Sequence, residues 1–146
     1  MRAGLRHVGL VVRDIGRMLD FYRKGLGFHP IRQAEERGPF IECLTGLEGA
    51  DLTTVKLAEE GSERIVLELL CFRHPPSPTA PPHRANDPGF AHLALTVTSL
   101  EACLSRLTSL GAKQVNPPLR SPDGKVTALY CRDPEGNLIE LVEEAP

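Results

Sequence analysis

Residues 6–27 and 91–111 of this 146-residue chain are weak copies of one another. His7, Leu10, Val12, Ile15 and Leu19 match His92, Leu95, Val97, Leu100 and Leu104 at one offset, and a single residue is lost near Gly27 and Gly111. A second pair of copies, 65–70 and 137–142, places Glu68 opposite Glu140. No other feature constrains the fold as much. Whatever supersecondary unit one half adopts, the other must adopt too, and each functional side chain has a counterpart. One histidine and one carboxylate recur per copy, the pattern expected of two modules that share one metal ion.

The periodicities give the unit. Residues 5–12 are rich in Val and Leu and read as a strand, followed by Asp14 at a natural N-cap. Ile15, Met18, Leu19 and Tyr22 then follow the spacing of an amphipathic helix, which Gly25 or Gly27 stops. Residues 28–33 read as a second strand. Residues 34–50 are charged and glycine-rich and read mostly as loop, with a short apolar turn at 40–44. Residues 52–58 and 64–72 are strands joined through Glu60, Gly61 and Ser62. The segment 73–89 holds six prolines and is expected to be a stiff connector without regular structure. The plan then repeats. A strand at 90–98 leads to Ser99 as N-cap and to a helix burying Leu100, Cys103, Leu104 and Leu107, with Gly111 as its stop. A strand begins at 112–115, and two more, at 125–131 and 137–143, are bracketed by the turns SPDG (121–124) and DPEG (133–136). Each half reads βαβββ, with modules at about 4–72 and 90–144 inside one domain spanning 1–146.

Composition excludes several function classes. The formal net charge is −2, basic residues do not cluster and only 5% of residues are aromatic, so nucleic acid has neither an electrostatic footprint nor stacking platforms. No run approaches the length of a membrane span, and no secretion signal opens the chain. A cytoplasmic protein is expected. Cys43, Cys71, Cys103 and Cys131 are widely spaced without a CxxC motif and are read as reduced, mostly buried thiols.

Strand alternation sharpens the four repeated residues. His7 shares its face with Gly9 and Val11, and His92 shares its face with Ala94 and Thr96, so each imidazole has a small neighbour two residues on. Glu68 and Glu140 stand in the middle of apolar strand sequence, where a carboxylate is costly to bury unless it is paired, protonated or bound to a cation. Any one of these residues alone would be read as structural; two matched pairs are not. Two neutral imidazoles and two carboxylates balance one divalent cation, and mixed N/O ligation without thiolate suits Ni, Co, Zn, Mn or Fe in an open site with room for substrate oxygens. His29, His74 and His83 have no repeat partner and are read as ordinary side chains.

The order RHVGLVVRD, FYRKGLGF, ELL, AHLALTV and DPEGNLIELVE resembles the vicinal oxygen chelate superfamily over nearly the whole chain. That superfamily contains glyoxalase I, methylmalonyl-CoA epimerase, extradiol dioxygenases and fosfomycin and bleomycin resistance proteins. The resemblance implies an α+β fold of two tandem βαβββ modules forming a curved mixed sheet around a cleft. It also implies one divalent metal ion held by His7, Glu68, His92 and Glu140, a small-molecule substrate, and a homodimer. The His/Glu/His/Glu set is most similar to bacterial glyoxalase I. The activity implied is a metal-dependent lyase or isomerase that abstracts a proton next to a chelated carbonyl, with Glu140 as base and Glu68 as its partner. An epimerase of the methylmalonyl-CoA type usually carries Gln where Glu68 stands and has an extra glutamate in the third strand, which here reads LTTVKLA. A resistance-type binding protein and an iron-dependent dioxygenase are the remaining alternatives.

Overall fold

Short apolar strands alternating with capped helices generate two units, Met1–Thr79 and Ala80–Pro146, in a computed structural model that describes residues 2–79 and 81–145. Ala80, within the proline-rich connector, lies outside the described residues. Among the described residues no helix is long and apolar enough to cross a membrane.

In the first unit, β1 (Val8–Val11) leads into α1 (Ile15–Asp20), whose N-cap Asp14 accepts a hydrogen bond from the Arg17 backbone N–H at 3.0 Å. The helix widens into a π turn over Phe21–Gly25 before β2 (His29–Arg37). Then come α2 (Pro39–Thr45), β3 (Asp51–Ala58) and β4 (Ile65–His74). The sheet order is β1-β4-β3-β2, with β1 parallel to β4 and the other pairs antiparallel. One face of this sheet buries Leu57, Leu67 and Leu69. Met18, Phe21, Tyr22 and Phe28 are buried with them, and Tyr22 meets both phenylalanines edge-on, with ring centroids 5.4 and 6.1 Å away.

The second unit repeats the plan with one strand more, because its second strand is broken into two short pieces that pair with the same neighbour. β5 (Leu93–Thr96), α3 (Leu100–Ser109), β6 (Lys113–Gln114), β7 (Leu119–Arg120), β8 (Val126–Arg132) and β9 (Leu138–Glu144) follow in order. The path is β5-β9-β8-β6, with β7 also on β8, and β5 is parallel to β9. Ser99 caps α3 by accepting from the Ala102 N–H at 3.2 Å. Glu143 of β9 accepts from the Leu100 N–H at 2.6 Å, so a strand carboxylate sits on the positive end of the helix dipole. Leu100, Cys103 and Leu107 are buried as the spacing predicts, while Leu104 is only half-buried. The DPEG turn is tied by Asp133, which accepts from the Glu135 and Asn137 backbones at 2.9 Å and from the Asn137 side chain at 2.8 Å.

Three local expectations are corrected. β2 runs on to Arg37, because pairing to β3 continues through Glu36↔Leu52 and Arg37↔Asp51 and satisfies the backbone of a charged sequence that has no strand pattern of its own. Residues 39–45 form a helix rather than a turn. Pro39 opens it, the positive φ of Gly46 (70°) closes it, and Ile41 is buried with Ala50 and Leu52. β4 extends to His74, two residues into the expected connector.

All four cysteines are free thiols, but only Cys103 and Cys131 are buried; Cys71 is half-buried and Cys43 exposed, so the expectation of mostly buried thiols holds for one pair. Burial, followed by the neighbouring Cys103 and Asp133, pushes the Cys131 thiol up to about 11. The folded chain therefore keeps this proton to higher pH than the unfolded chain. Its stabilisation is complete below the ordinary value of 9.0 and is lost as pH rises toward about 11. Urea midpoints should fall over that interval, and at pH 8 a thiol reagent should label Cys43 fast but reach Cys131 only on denaturation. Leu69→Ala and Leu141→Ala, both at fully buried positions, should each cost about 2–5 kcal/mol in urea unfolding.

Candidate functional site

The parallel pairing of first and last strands sets the geometry in each unit. In the first unit Gly9 lies opposite Glu68. In the second, Ala94 lies opposite Glu140. Cross-strand partners share a face, and side chains two residues apart on a strand do so too. His7, two residues before Gly9, is thereby brought to Glu68, and His92, two before Ala94, to Glu140.

The side chains meet accordingly. His7 Nε2 lies 2.9 Å from Glu68 Oε2, and His92 Nε2 lies 3.1 Å from Glu140 Oε2. A Cβ added at Gly9 would lie 3.2 Å from Leu70 Cδ1, the movable end of a half-buried side chain.

The next strand differs between the units. β3 sets Lys56 opposite Glu68, and β8 sets Tyr130 opposite Glu140. Lys56 Nζ is 2.6 Å from Glu68 Oε1, a short charge-assisted contact that lets this carboxylate stay buried in apolar sequence. Tyr130 instead packs its ring edge-on against His92, centroids 5.3 Å apart at 74°. Burial, then the negative charge of Glu140, hold the Tyr130 hydroxyl above its ordinary value, so it remains protonated at neutral pH.

The structure thus gathers the four predicted residues as two pairs, one per unit. Among the described residues no group of three or more His, Cys, Asp or Glu side chains forms a ready-made cage. His7 Nδ1 is buried without a hydrogen-bond partner, a state that costs about 1–3 kcal/mol in a structural histidine. His83 lies 3.8 Å from Asp87, a local contact that leaves it outside either pair. Sequence reading missed Lys56 and Tyr130. The signal was available in part: each stands in the strand that turns back onto the glutamate strand, but its place opposite the glutamate depends on the β3–β4 and β8–β9 registers.

Apolar packing lies beside the first pair. Leu70 and Phe72 continue the face of Glu68 along β4 and pack against Ile41 of α2 with Ala50 and Leu52. The helix that pattern reading missed therefore covers the end of the sheet face that bears His7 and Glu68.

Two βαβββ units with the first strand parallel to the last, each carrying a His–Glu pair at one register, define the class of duplicated α+β proteins to which this chain is similar throughout. The profile of the Glyoxalase/Bleomycin resistance protein/Dioxygenase superfamily matches residues 4–141, and the chain belongs to that superfamily. A lactoylglutathione lyase of Pseudomonas aeruginosa is 31% identical over 144 residues, covering 94% of this chain and 80% of the relative. A biphenyl-2,3-diol 1,2-dioxygenase of Rhodococcus globerulus is 38% identical over 66 residues, 44% of this chain and 35% of the dioxygenase. A crystal structure of a glyoxalase family protein from Bacillus cereus superposes with a TM-score of 0.88 at 24% identity, covering 97% of this chain and 94% of that one.

Because unit 2 carries alanine where unit 1 carries Gly9, and the one tight neighbour is a movable Leu70 methyl, Gly9→Ala should fold normally. Its unfolding free energy in urea should lie within about 1 kcal/mol of the parent. A larger loss would show that this face cannot accept a Cβ.

Proposed function

We propose that the chain is a divalent-metal-dependent lyase or isomerase of the glyoxalase I type, acting on a small molecule with a proton next to a carbonyl. The observation that carries the reading is the repeated His–Glu pair: His7 with Glu68 and His92 with Glu140, each at the same register beside a small residue. The 31% identity to a lactoylglutathione lyase over most of both chains supports the choice within the superfamily.

The donor set fits a divalent ion. In each pair an imidazole nitrogen and a carboxylate oxygen turn toward one another at 2.9 or 3.1 Å. Two neutral imidazoles and two carboxylates are a donor set that borderline divalent metals accept without thiolate. The buried, partnerless Nδ1 of His7 is an unsatisfied polar group of the kind that a catalytic role or a bound ion explains. His7, Glu68, His92 and Glu140 are the residues that would hold the ion. A homodimer belongs to the same reading.

When bound, such an ion supplies Lewis-acid polarisation of a substrate carbonyl, which acidifies the adjacent C–H. The chain supplies the proton transfer. Glu140 is the base: its carboxylate takes the proton from the carbon next to the carbonyl and returns it to the neighbouring carbon. Glu68 and the two histidines hold position. General acid–base assistance of this type is worth roughly 10²–10⁴ in rate.

The test combines elemental analysis of protein purified without added metal with hemithioacetal and acyl-CoA assays over Ni, Co, Zn, Mn and Fe. Near-stoichiometric metal and hemithioacetal turnover are expected. Glu140→Gln should keep the fold by circular dichroism while losing about 10²-fold or more in kcat and binding metal more weakly. Unchanged turnover with normal metal content in that variant overturns the role of Glu140, and a metal-free, inactive parent protein overturns the reading as a whole.

A further inference from the structure

Two adjacent threonines of β3, Thr53 and Thr54, are both buried, at 8% and 4% exposed. Strand alternation turns them to opposite faces of the first unit's sheet. The Thr53 hydroxyl donates to Glu35 at 2.9 Å and accepts from Arg73 at 2.6 Å. Thr54 has no such company: among the described residues no group hydrogen-bonds its hydroxyl. The one fully buried side-chain polar atom without a partner among those residues is Nδ1 of His7, so the Thr54 oxygen keeps a narrow opening. A hydroxyl drawn into a sheet and given no partner is a standing loss of stability.

Its place in the sheet shows what the loss can serve. Gly9, Glu68 and Lys56 lie abreast across β1, β4 and β3, and the next row on the same face holds Val11, Leu70, Thr54 and Ala34. Thr54 is therefore a diagonal neighbour of Glu68, about 7–8 Å away between backbones. Leu70 packs against Ile41 of α2, and Val11 is 49% exposed. In a row that is otherwise apolar, the Thr54 oxygen is the one side-chain atom able to hydrogen-bond. The repeat breaks at this point. The corresponding row of the second unit holds Thr96, Val142 and Ala128, with Ala128 in the place of Thr54. The βαβββ plan does not itself require a hydroxyl there.

We infer that Thr54 is a specificity-determining residue: its hydroxyl hydrogen-bonds an oxygen that the substrate carries on a short carbon chain, a few bonds from the reacting carbonyl. The inference rests on the lyase or isomerase reading above and names a substrate class within it, carbonyl compounds with a further hydroxyl or carbonyl oxygen. Val11 and Leu70 offer apolar surface to the carbon chain, and the threonine hydroxyl, donor and acceptor at once, suits either kind of oxygen. Such a site discriminates because an analogue that lacks the oxygen leaves the buried hydroxyl unpaired.

The test compares the hemithioacetals that one thiol forms with methylglyoxal and with hydroxymethylglyoxal, which differ by a single hydroxyl. Turnover and urea unfolding are measured on the full chain for the parent, Thr54→Val, Thr54→Ser and Thr53→Val. The parent should favour the hydroxylated adduct in kcat/KM by roughly 2–10-fold, the contribution of one hydrogen bond. Thr54→Val should erase that preference and unfold at higher urea, because it removes an unpartnered hydroxyl and keeps a β-branched side chain. Thr54→Ser should keep the preference. Thr53→Val, which breaks the bonds to Glu35 and Arg73, should unfold at lower urea with the preference unchanged. A parent without the preference, a Thr54→Val protein that retains it, or one that loses stability as Thr53→Val does overturns the role of Thr54 and leaves the lyase reading standing. A metal-loaded parent that turns over neither adduct overturns the glyoxalase-type reading and the substrate class with it.

Discussion

Everything at the candidate site depends on one hydrogen-bonded pairing, used twice: the first strand of each unit lying parallel to its last. Parallel strands cannot be joined by a tight turn, and here a helix and further strands intervene. That requirement separates His7 from Glu68 by most of a unit in sequence, and His92 from Glu140 likewise. The pairing then returns them to hydrogen-bond distance. Register is what matters. A one-residue slip of β4 against β1 would send Glu68 to the face that buries Leu67 and Leu69. The same slip would carry Leu67 and Leu69 off the buried face, so the hydrophobic core protects the polar pairs.

The same logic explains how a carboxylate survives inside IVLELL. Glu68 is one of few charged side chains among the buried residues, and its two partners come from opposite neighbours, Lys56 from β3 and His7 from the stretch leading into β1. Glu140 is more open and has the lighter company of His92 and the edge of Tyr130. Duplication set up two equal positions, and divergence of a single cross-strand neighbour made them unequal. A symmetric fold acquires two differing carboxylates in this way without any change of topology.

How far pattern reading reaches is clearest in particular elements. The Asp14 and Ser99 caps, the helix stripes behind them and the two turns DPEG and SPDG rest on local chemistry, and the structure contains each of them. The helix at Pro39–Thr45 was illegible because its seven residues carry a single buried apolar side chain, Ile41, too little for a 3.6-residue period to show. The extension of β2 through Glu35 and Glu36 was equally hidden. Pairing with β3 makes it a strand, while its own charged side chains argue against one.

By itself the sequence determined the duplication, the βαβββ plan of each unit, and the identity of the four repeated residues, because these rest on local periodicity and on one segment matching another. Only tertiary structure decided which side chains touch. That Glu68 meets Lys56 as well as His7, and that Tyr130 turns to His92, follows from strand registers between segments far apart in the chain. Local sequence does not carry such registers, since they are set by how the whole sheet buries its apolar face.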